Sequence, residues 1–136
     1  DVSAATGALI VTDVLAMKQA AIDDKMYGPF VVYIPTAYET ILDEDYSTAK
    51  GSNTIRERIL QITGVESIQT VDTMTANTVV MVQMTADVVR EVICLPLQAV
   101  EWESDGGMMS NFKVVTIMVP QIRADQEGHC GIVVLS

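Results

Sequence analysis

The sequence contains only one histidine and two cysteines, the residue types that combine in a cysteine–histidine catalytic pair. His129 is the only histidine, and Cys130 follows it directly. A catalytic pair needs its nucleophile and its base within hydrogen-bond reach, but adjacent residues in an extended segment point to opposite faces. We therefore expect no cysteine–histidine nucleophile, and we predict a protein that is not an enzyme and needs no cofactor.

Two stretches contain only part of a ligand-binding motif. The acidic run Asp43-Glu44-Asp45 could start a calcium loop, but Thr48 stands where an EF-hand needs glycine and Thr54 where it needs its closing glutamate. Gly106-Gly107 opens no helix and is followed by no Lys-Ser or Lys-Thr pair, as a phosphate-binding loop requires. We predict a solvated acidic loop, a turn and no metal site.

The composition indicates a globular domain without a nucleic-acid or membrane surface. The chain has 136 residues, of which 49% are hydrophobic and 19% charged. No apolar run approaches the roughly 18 residues that a membrane helix needs, so we expect a soluble protein. The net charge of −10 repels phosphate backbones and anionic lipids. We therefore expect neither sequence-specific nucleic-acid binding nor membrane binding.

The cysteines and the first residue give two further expectations. Cys94 and Cys130 lie in apolar surroundings and are too few to staple a domain of this size. They are expected to be buried thiols, with a disulfide between them as the alternative. Because the sequence begins at Asp1 rather than Met, we expect either a processed precursor or part of a longer protein.

The first half of the chain is predicted to contain three helices and a buried strand. An amphipathic helix is expected over about Gly7 to Lys25, and Phe30 to Ile34 is expected to be a central strand that ends at Pro35. Thr36 and Glu39 have capping-box spacing, which predicts a short helix through about Leu42. The buried face of the first helix is predicted to contain Leu9, Ile10, Val14, Met17 and Ala21.

A polar segment over residues 43–53 is predicted to be a mobile surface loop. The following stretch, Thr54 to Ile62, returns to helical spacing, with Ile55, Ile59 and Ile62 on one face. A helix of about two turns is expected there, and Gly64 is well placed to terminate it.

The second half is predicted to consist mostly of strands. Val65–Val71 and Thr78–Met84 are candidates for a hairpin. The last strands are expected to be consecutive members of one sheet, with a loop from Pro120 to Cys130 and with Pro96 favouring a bulge or an edge. They are predicted at Leu95–Trp102, Phe112–Val119 and Gly131–Leu135. The order of elements indicates an α+β fold with a mixed sheet flanked by helices.

Several side chains near the strand-rich end are candidates for contacts between molecules. Met108 and Met109 are expected to be exposed, and methionine adapts well to contact surfaces. The charged residues Arg90, Glu91, Glu101 and Arg123 have two interpretations, surface solvation or intersubunit salt bridges.

The last third of the chain contains a series of short motifs. They are Glu101-Trp102-Glu103, Gly106-Gly107-Met108, Phe112-Lys113-Val114, the segment from Val119 to Asp125, and the segment from Gly128 to Val133. In their order and spacing these motifs resemble the C-terminal end of tailed-phage major capsid proteins with the HK97-type fold. The resemblance covers residues 88–136.

The resemblance implies a structural protein, a subunit that self-assembles through pentamers and hexamers into an icosahedral head enclosing DNA. It implies location in the virion, and in the host cytoplasm during assembly, with scaffolding, portal and decoration proteins as further candidate partners. Because neither an N-terminal arm nor a long hairpin precedes Gly7, the chain is expected to be a C-terminal fragment of a longer subunit. Residues 1–136 would form one α+β domain, with about 1–87 resembling the axial domain and about 88–136 the returning strands of the peripheral domain.

The resemblance also implies where neighbouring subunits meet. The 43–53 loop would lie near a capsomer centre, and the turns at 101–111 and 120–128 would contact neighbours. The residues expected at these contacts are Asp43, Asp45, Lys50, Arg90, Glu101, Trp102, Met108, Met109, Arg123 and Asp125.

Two alternatives to the phage head remain. An encapsulin-type nanocompartment has the same fold but encloses enzymes. A small α+β ligand-binding or enzymatic domain belongs to a different class, and a deep pocket lined by Asp125, His129 and Cys130 would support it.

Overall fold

A computed structural model describes residues 7–46 and 53–136, which form three α-helices and six β-strands. The elements in chain order are α1 (Gly7–Asp23), β1 (Phe30–Pro35), a 3-10 turn (Thr36–Tyr38), α2 (Glu39–Leu42), α3 (Ile55–Leu60), β2 (Val65–Val71), β3 (Val79–Gln83), β4 (Val89–Ser104), a second 3-10 turn (Asp105–Gly107), β5 (Met109–Ile122) and β6 (Ile132–Leu135). The predicted order of helices followed mostly by strands is confirmed.

Four of the strands form a mixed sheet in the order β2-β1-β3-β6. Strand β1 runs parallel to β2 and antiparallel to β3, which in turn runs antiparallel to β6. Every residue of β1 except Tyr33 is buried, and β1 pairs along both of its edges, with β2 and with β3. The α+β class and the central position of β1 are therefore confirmed.

The core lies between this sheet and the helices. Helix α1 buries Ile10, Val11, Val14, Met17 and Ala21. The predicted face was wrong at Leu9, which is 48% exposed, and Val11 is buried as well. Helix α3 contributes Ile55 and Ile59. The largest completely buried side chains in the sheet and helices are Phe30, Ile34, Leu42, Ile55, Ile59 and Met81.

The capping box lies at α3 and not at the predicted position. Thr54 Oγ1 accepts a hydrogen bond from the Glu57 amide at 3.2 Å, and the Glu57 carboxylate accepts one from the Thr54 amide at 3.3 Å. The box predicted at Thr36 does not form, because Thr36 lies inside a 3-10 turn and α2 begins only at Glu39, with no side-chain cap. The Thr36 hydroxyl instead donates to Asp72 Oδ1 at 2.7 Å. A short helix does follow at that point, as expected.

Two predictions about strand pairing were wrong. Strands β2 and β3 do not form a hairpin, because β1 lies between them and pairs with both. The last three strands do not share one sheet either. Strands β4 and β5 form a separate two-stranded sheet, and β6 returns to the edge of the core sheet beside β3.

The two-stranded sheet, called the ribbon from here on, is longer than predicted. It spans residues 89–122, because β5 continues past Pro120 to Ile122 and Pro120 lies opposite Glu91. The predicted loop therefore begins at Arg123 rather than at Pro120. Proline is tolerated there because each strand of a ribbon has a free edge. The register shifts on both sides of Leu95, which confirms the irregularity expected near Pro96.

Both cysteines are free thiols, so the alternative of a disulfide between them is excluded. The prediction of two buried thiols was wrong for Cys94, which lies exposed on the ribbon, while Cys130 is partly buried. None of the helices in the described ranges combines the length and apolar character that a membrane span requires.

Candidate functional site

Most of the large exposed apolar side chains in the described part of the chain lie on the ribbon. Its side chains include Leu97 and Phe112, which are 72% and 79% exposed. Monomeric soluble proteins rarely expose large contiguous apolar areas, and such areas mark contact surfaces. The large exposed apolar residues of β4 and β5 are Val92, Ile93, Leu97, Val100, Trp102, Met109, Phe112, Val114, Ile117, Met118, Val119 and Ile122.

The register of the ribbon assigns each side chain to one of its two faces. In an antiparallel pair, residues directly opposite each other point to the same face, and successive residues alternate. The alternation is unbroken along β5, because the extra residues of the irregular region lie in β4, between Ile93 and Gln98.

One face, called the basic face, contains Arg90 and Lys113. Arg90 lies opposite Gln121 and its Nε donates to Gln121 Oε1 at 2.7 Å. At the far end, Asn111 Nδ2 donates to Ser104 Oγ at 3.0 Å on the same face. Between these polar ends the face is mostly apolar and contains Val92, Leu95, Val100, Trp102, Val115, Ile117 and Val119.

The other face, called the acidic face, contains the three glutamates of the ribbon, Glu91, Glu101 and Glu103. Ser110 donates to Glu101 Oε1 at 2.6 Å, which fixes that carboxylate on the face. The apolar residues on this face are Ile93, Ala99, Phe112, Val114, Met118, Pro120 and Ile122. The two faces therefore differ in the sign of their charge while both remain rich in apolar area.

Seven of the residues predicted at subunit contacts lie on the ribbon or at its base. Arg90, Glu101 and Trp102 lie on β4, Met108 lies at the turn that joins β4 to β5, and Met109 is the first residue of β5. Met108 is 89% exposed, which confirms the expected exposure of this pair. Arg123 and Asp125 lie at the base of the ribbon, where the Arg123 amide donates to Val88 O at 2.8 Å.

Asp43 and Asp45 belong to the compact core and not to the ribbon. Asp43 Oδ1 accepts a hydrogen bond from Arg56 Nε at 3.0 Å, in an exposed ion pair. Asp45 forms an isolated antiparallel bridge with Thr54. Both residues therefore help to hold the start of α3. Lys50, the third residue predicted from this segment, lies outside the described residues, as does most of the predicted 43–53 loop.

A group of titratable side chains at the base of the ribbon was missed by the sequence analysis. His129 Nδ1 lies 3.6 Å from Asp125 Oδ2 and 3.8 Å from Glu127 Oε2, and its Nε2 lies 3.9 Å from Asp24 Oδ1. Since Asp24 directly follows α1, this group places the loop after β5 against the core. The sequence signal for this group is that Asp125, Glu127 and His129 occupy alternate positions along the chain.

The backbone of this loop stabilises the Asp125 carboxylate. The amide of His129 donates to Asp125 Oδ1 at 2.8 Å and the amide of Glu127 at 2.9 Å. The His129 hydrogen bond is the main reason why the pKa of Asp125 lies below its ordinary value, with the Glu127 bond and the nearby His129 ring as further causes. The loop is thus built around an ionised Asp125.

This group carries the ligand types of a cation site, since ligand atoms of Asp125, Glu127 and His129 lie within 4.8 Å of one another. Its two carboxylates are exposed to water, however. His129 Nδ1 is closed off from water and has no hydrogen-bond partner among the described residues. Exposed carboxylates beside a histidine commonly occur without a metal, so we assign no metal here.

A cavity of about 300 Å³ lies next to this group, between the core and the ribbon base. Asp125 is part of its wall, but His129 and Cys130 are not, so the combination that would support a ligand-binding or enzymatic domain does not occur in this cavity. Its lining residues are Met26, Gln83, Asp87, Val88, Arg123, Ala124 and Asp125.

The sequence matches the model of a family of unknown function (DUF6260) over residues 1–135. The chain belongs to this family. A search of curated proteins found no significant match to this DUF6260 chain.

Among solved structures, the chain is similar to the protein in a crystal structure of a virus-like particle from Pyrococcus furiosus. The TM-score is 0.70 at 20% sequence identity, and the match covers 96% of this chain. It covers 52% of the particle protein, so this DUF6260 chain spans about half the length of that relative. The chain therefore has a capsid-like fold.

Proposed function

We propose that the chain is a structural subunit of a closed protein shell of the HK97 type. The observation that carries the proposal is the structural match to the virus-like particle protein. It covers 96% of this chain, whereas the ribbon makes up about a quarter, so the match includes most of the ribbon as well as the core. A shared core alone would not account for a match of that extent.

The exposure of the ribbon supports the same function on physical grounds. A shell subunit needs a rigid core and surfaces that contact neighbouring copies, and heterologous contacts that close produce rings. The core sheet and helices supply the first requirement, and the uncovered apolar ribbon supplies the second. No catalytic step is part of this proposal.

The proposal extends to domain roles. The core sheet with its helices corresponds to the axial domain, and the ribbon corresponds to the returning strands of the peripheral domain. Strand β6, which follows the ribbon, completes the core sheet beside β3. The residues predicted at subunit contacts on the ribbon and at its base, including Trp102, Met108 and Arg123, are proposed to contact neighbouring subunits.

A tailed-phage head enclosing DNA is the form of shell that we propose, located in the virion and assembled in the host cytoplasm. An encapsulin-type compartment is the second candidate, favoured by the match to a virus-like particle protein. The net charge of −10 suits an inner wall that tolerates DNA without binding it tightly. The contents of particles isolated from the native source distinguish the two, since DNA indicates a phage head and enclosed enzymes indicate a compartment.

The test of shell formation is the state of the purified chain at increasing protein concentration. Analytical ultracentrifugation and negative-stain electron microscopy are expected to detect assemblies of uniform size, either rings of five or six copies or hollow particles. A chain that stays monomeric at every concentration would contradict the proposal, and so would catalytic turnover by that monomer.

A further inference from the structure

The charged side chains of the ribbon are sorted by sign onto its two faces. Arg90 and Lys113 lie on the basic face, whereas Glu91, Glu101 and Glu103 all lie on the acidic face. The whole chain has 18 acidic and 8 basic residues. The basic face, with two cations and no carboxylate, therefore has a charge opposite in sign to the net charge of the chain.

These charges are not neutralised within the described part of the chain. The ion pairs found in residues 7–46 and 53–136 involve Arg56 and His129 and include no side chain of the ribbon. Arg90 donates to the neutral amide of Gln121, and Glu101 accepts from the hydroxyl of Ser110. Their full charges therefore remain available to a partner.

The spacing of the charges is the same on both faces. On the basic face Arg90 lies opposite Gln121, eight residues along β5 from Lys113. On the acidic face Glu91 lies opposite Pro120, and Glu101 lies opposite Phe112, again eight residues away. At roughly 3.4 Å per residue each pair spans roughly 27 Å along the ribbon.

We propose that the ribbons of neighbouring copies stack, with the basic face of one copy on the acidic face of the next. Stacked sheets lie roughly 10 Å apart. In a stack with both ribbons pointing the same way, Arg90 comes near Glu91 of the neighbouring copy, and Lys113 comes near its Glu101. The apolar side chains between these charges, among them Ile117 and Phe112, are then buried together.

The sign of the charges also determines the type of contact. A stack of two basic faces or of two acidic faces would bring like charges together, which is unfavourable. The contact is therefore heterologous, and repeated contacts of this type close into a ring or continue as an open stack. The inference rests on the proposed function only where repeated contacts close into a ring, because a shell must be closed.

The test uses two double variants of the full chain. R90E with K113E makes both faces acidic, and E91K with E101K makes both faces basic. Each variant alone is expected to associate at least tenfold more weakly than the unchanged chain in sedimentation velocity experiments. An equimolar mixture of the two is expected to recover association, because an acidic face again meets a basic face at every contact.

Two controls separate this effect from general ones. The double variant Glu39→Lys and Glu66→Lys changes the net charge by the same amount as E91K with E101K, but at exposed positions of the core. It is expected to leave association unchanged. The E91K and E101K variant lowers the net negative charge of the chain, so its weaker association cannot come from general repulsion between copies. Far-UV circular dichroism and urea unfolding verify that every variant is folded.

The possible results separate this inference from the proposed function. Variants that assemble as the unchanged chain does, or a mixture that does not recover, would overturn the ribbon stack even if particles form. A monomeric chain whose ribbon amides are protected from hydrogen exchange would also overturn it, because the ribbon would then be covered by its own chain. Charge-dependent stacking that yields only open, irregular assemblies would support the inference and contradict the closed shell.

Discussion

The core sheet and the ribbon are built from similar side chains but place them in opposite environments. Val32 and Met81 in the sheet are completely buried, whereas Leu97 and Phe112 in the ribbon are mostly exposed. Burying an aliphatic or aromatic side chain contributes roughly 1.5–3 kcal/mol, so the core stabilises itself within one chain. The same free energy in the ribbon is gained only when something outside the described chain covers it.

The largest expected difference between the two regions is in the free energy of unfolding. Ile59 is completely buried under the core sheet, so Ile59→Ala removes packed methyl groups and is expected to cost about 2–5 kcal/mol. Ile122 in the ribbon is 63% exposed and mainly contacts its cross-strand neighbour, so Ile122→Ala is expected to cost less than about 1 kcal/mol. Urea unfolding of the monomeric chain measures both values.

One outcome would break this comparison, and another would sharpen it. Equal losses for Ile59→Ala and Ile122→Ala would mean that the ribbon is packed within the monomer. If Ile122→Ala instead weakens association while leaving the unfolding of the monomer almost unchanged, the ribbon acts as a contact surface and not as a second core.

The individual elements could be predicted because their local signals agree with their environment. Helix α1 has apolar residues at helical spacing, and β1 is a short apolar run that ends at Pro35. The pairing of strands was less accessible. Adjacent strands usually form hairpins, but β1 is buried and pairs along both of its edges, which separates β2 from β3.

Two features of the ribbon explain why its position was predicted incorrectly. Its strands are apolar on both faces, a pattern that is typical of strands inside a covered sheet, so they were assigned to the same sheet as β6. The sequence contains no signal that their cover lies outside the described chain. Only the charges of β4 indicate two different faces, because the adjacent residues Arg90 and Glu91 have opposite charges and the charged Glu101 is followed by the uncharged Trp102.

The capping boxes show a limit of local patterns. Thr36 with Glu39 and Thr54 with Glu57 have the same spacing, but only the second pair forms reciprocal hydrogen bonds. The difference lies in the backbone, because Thr54 has the extended conformation of an N-cap, whereas Thr36 lies inside a 3-10 turn and α2 begins only at Glu39. The spacing of threonine and glutamate therefore does not by itself specify a capping box.

An intermediate effect is expected where the ribbon joins the core. Gly131 is buried, and a Cβ atom at this position would lie 2.8 Å from Val88 Cγ2 and 2.9 Å from Gln83 Cβ. Gly131→Ala is therefore expected to cost about 1–3 kcal/mol through overpacking. The Gln83 amide donates to Gly131 O at 2.7 Å, so hydrogen exchange of that amide reports directly on the junction.

Gly128→Ala is the comparison variant for this junction. Gly128 has open space around its Cα but a φ of +88°, so alanine there adds backbone strain without a steric clash. It is expected to leave the protection of the Gln83 amide unchanged. If Gly131→Ala also left that protection unchanged, the packing of Val88 against Gly131 would not be what holds β6 to the ribbon base.

The smallest expected effect concerns the pH dependence of the loop between the ribbon and β6. The hydrogen bonds from the His129 and Glu127 amides lower the pKa of Asp125 below its ordinary value of 3.8. A lowered pKa means that the ionised carboxylate stabilises the folded state above about pH 3.8, and that this contribution is lost as the pH falls further.

Asp125→Asn keeps an oxygen acceptor but removes the charge. The unchanged chain is therefore expected to be slightly more stable than the variant in urea at pH 6, and the difference should shrink by pH 3. A difference that stays constant between these values would mean that the amide hydrogen bonds to the side-chain oxygen, and not the charge of Asp125, hold the loop between the ribbon and β6 in place.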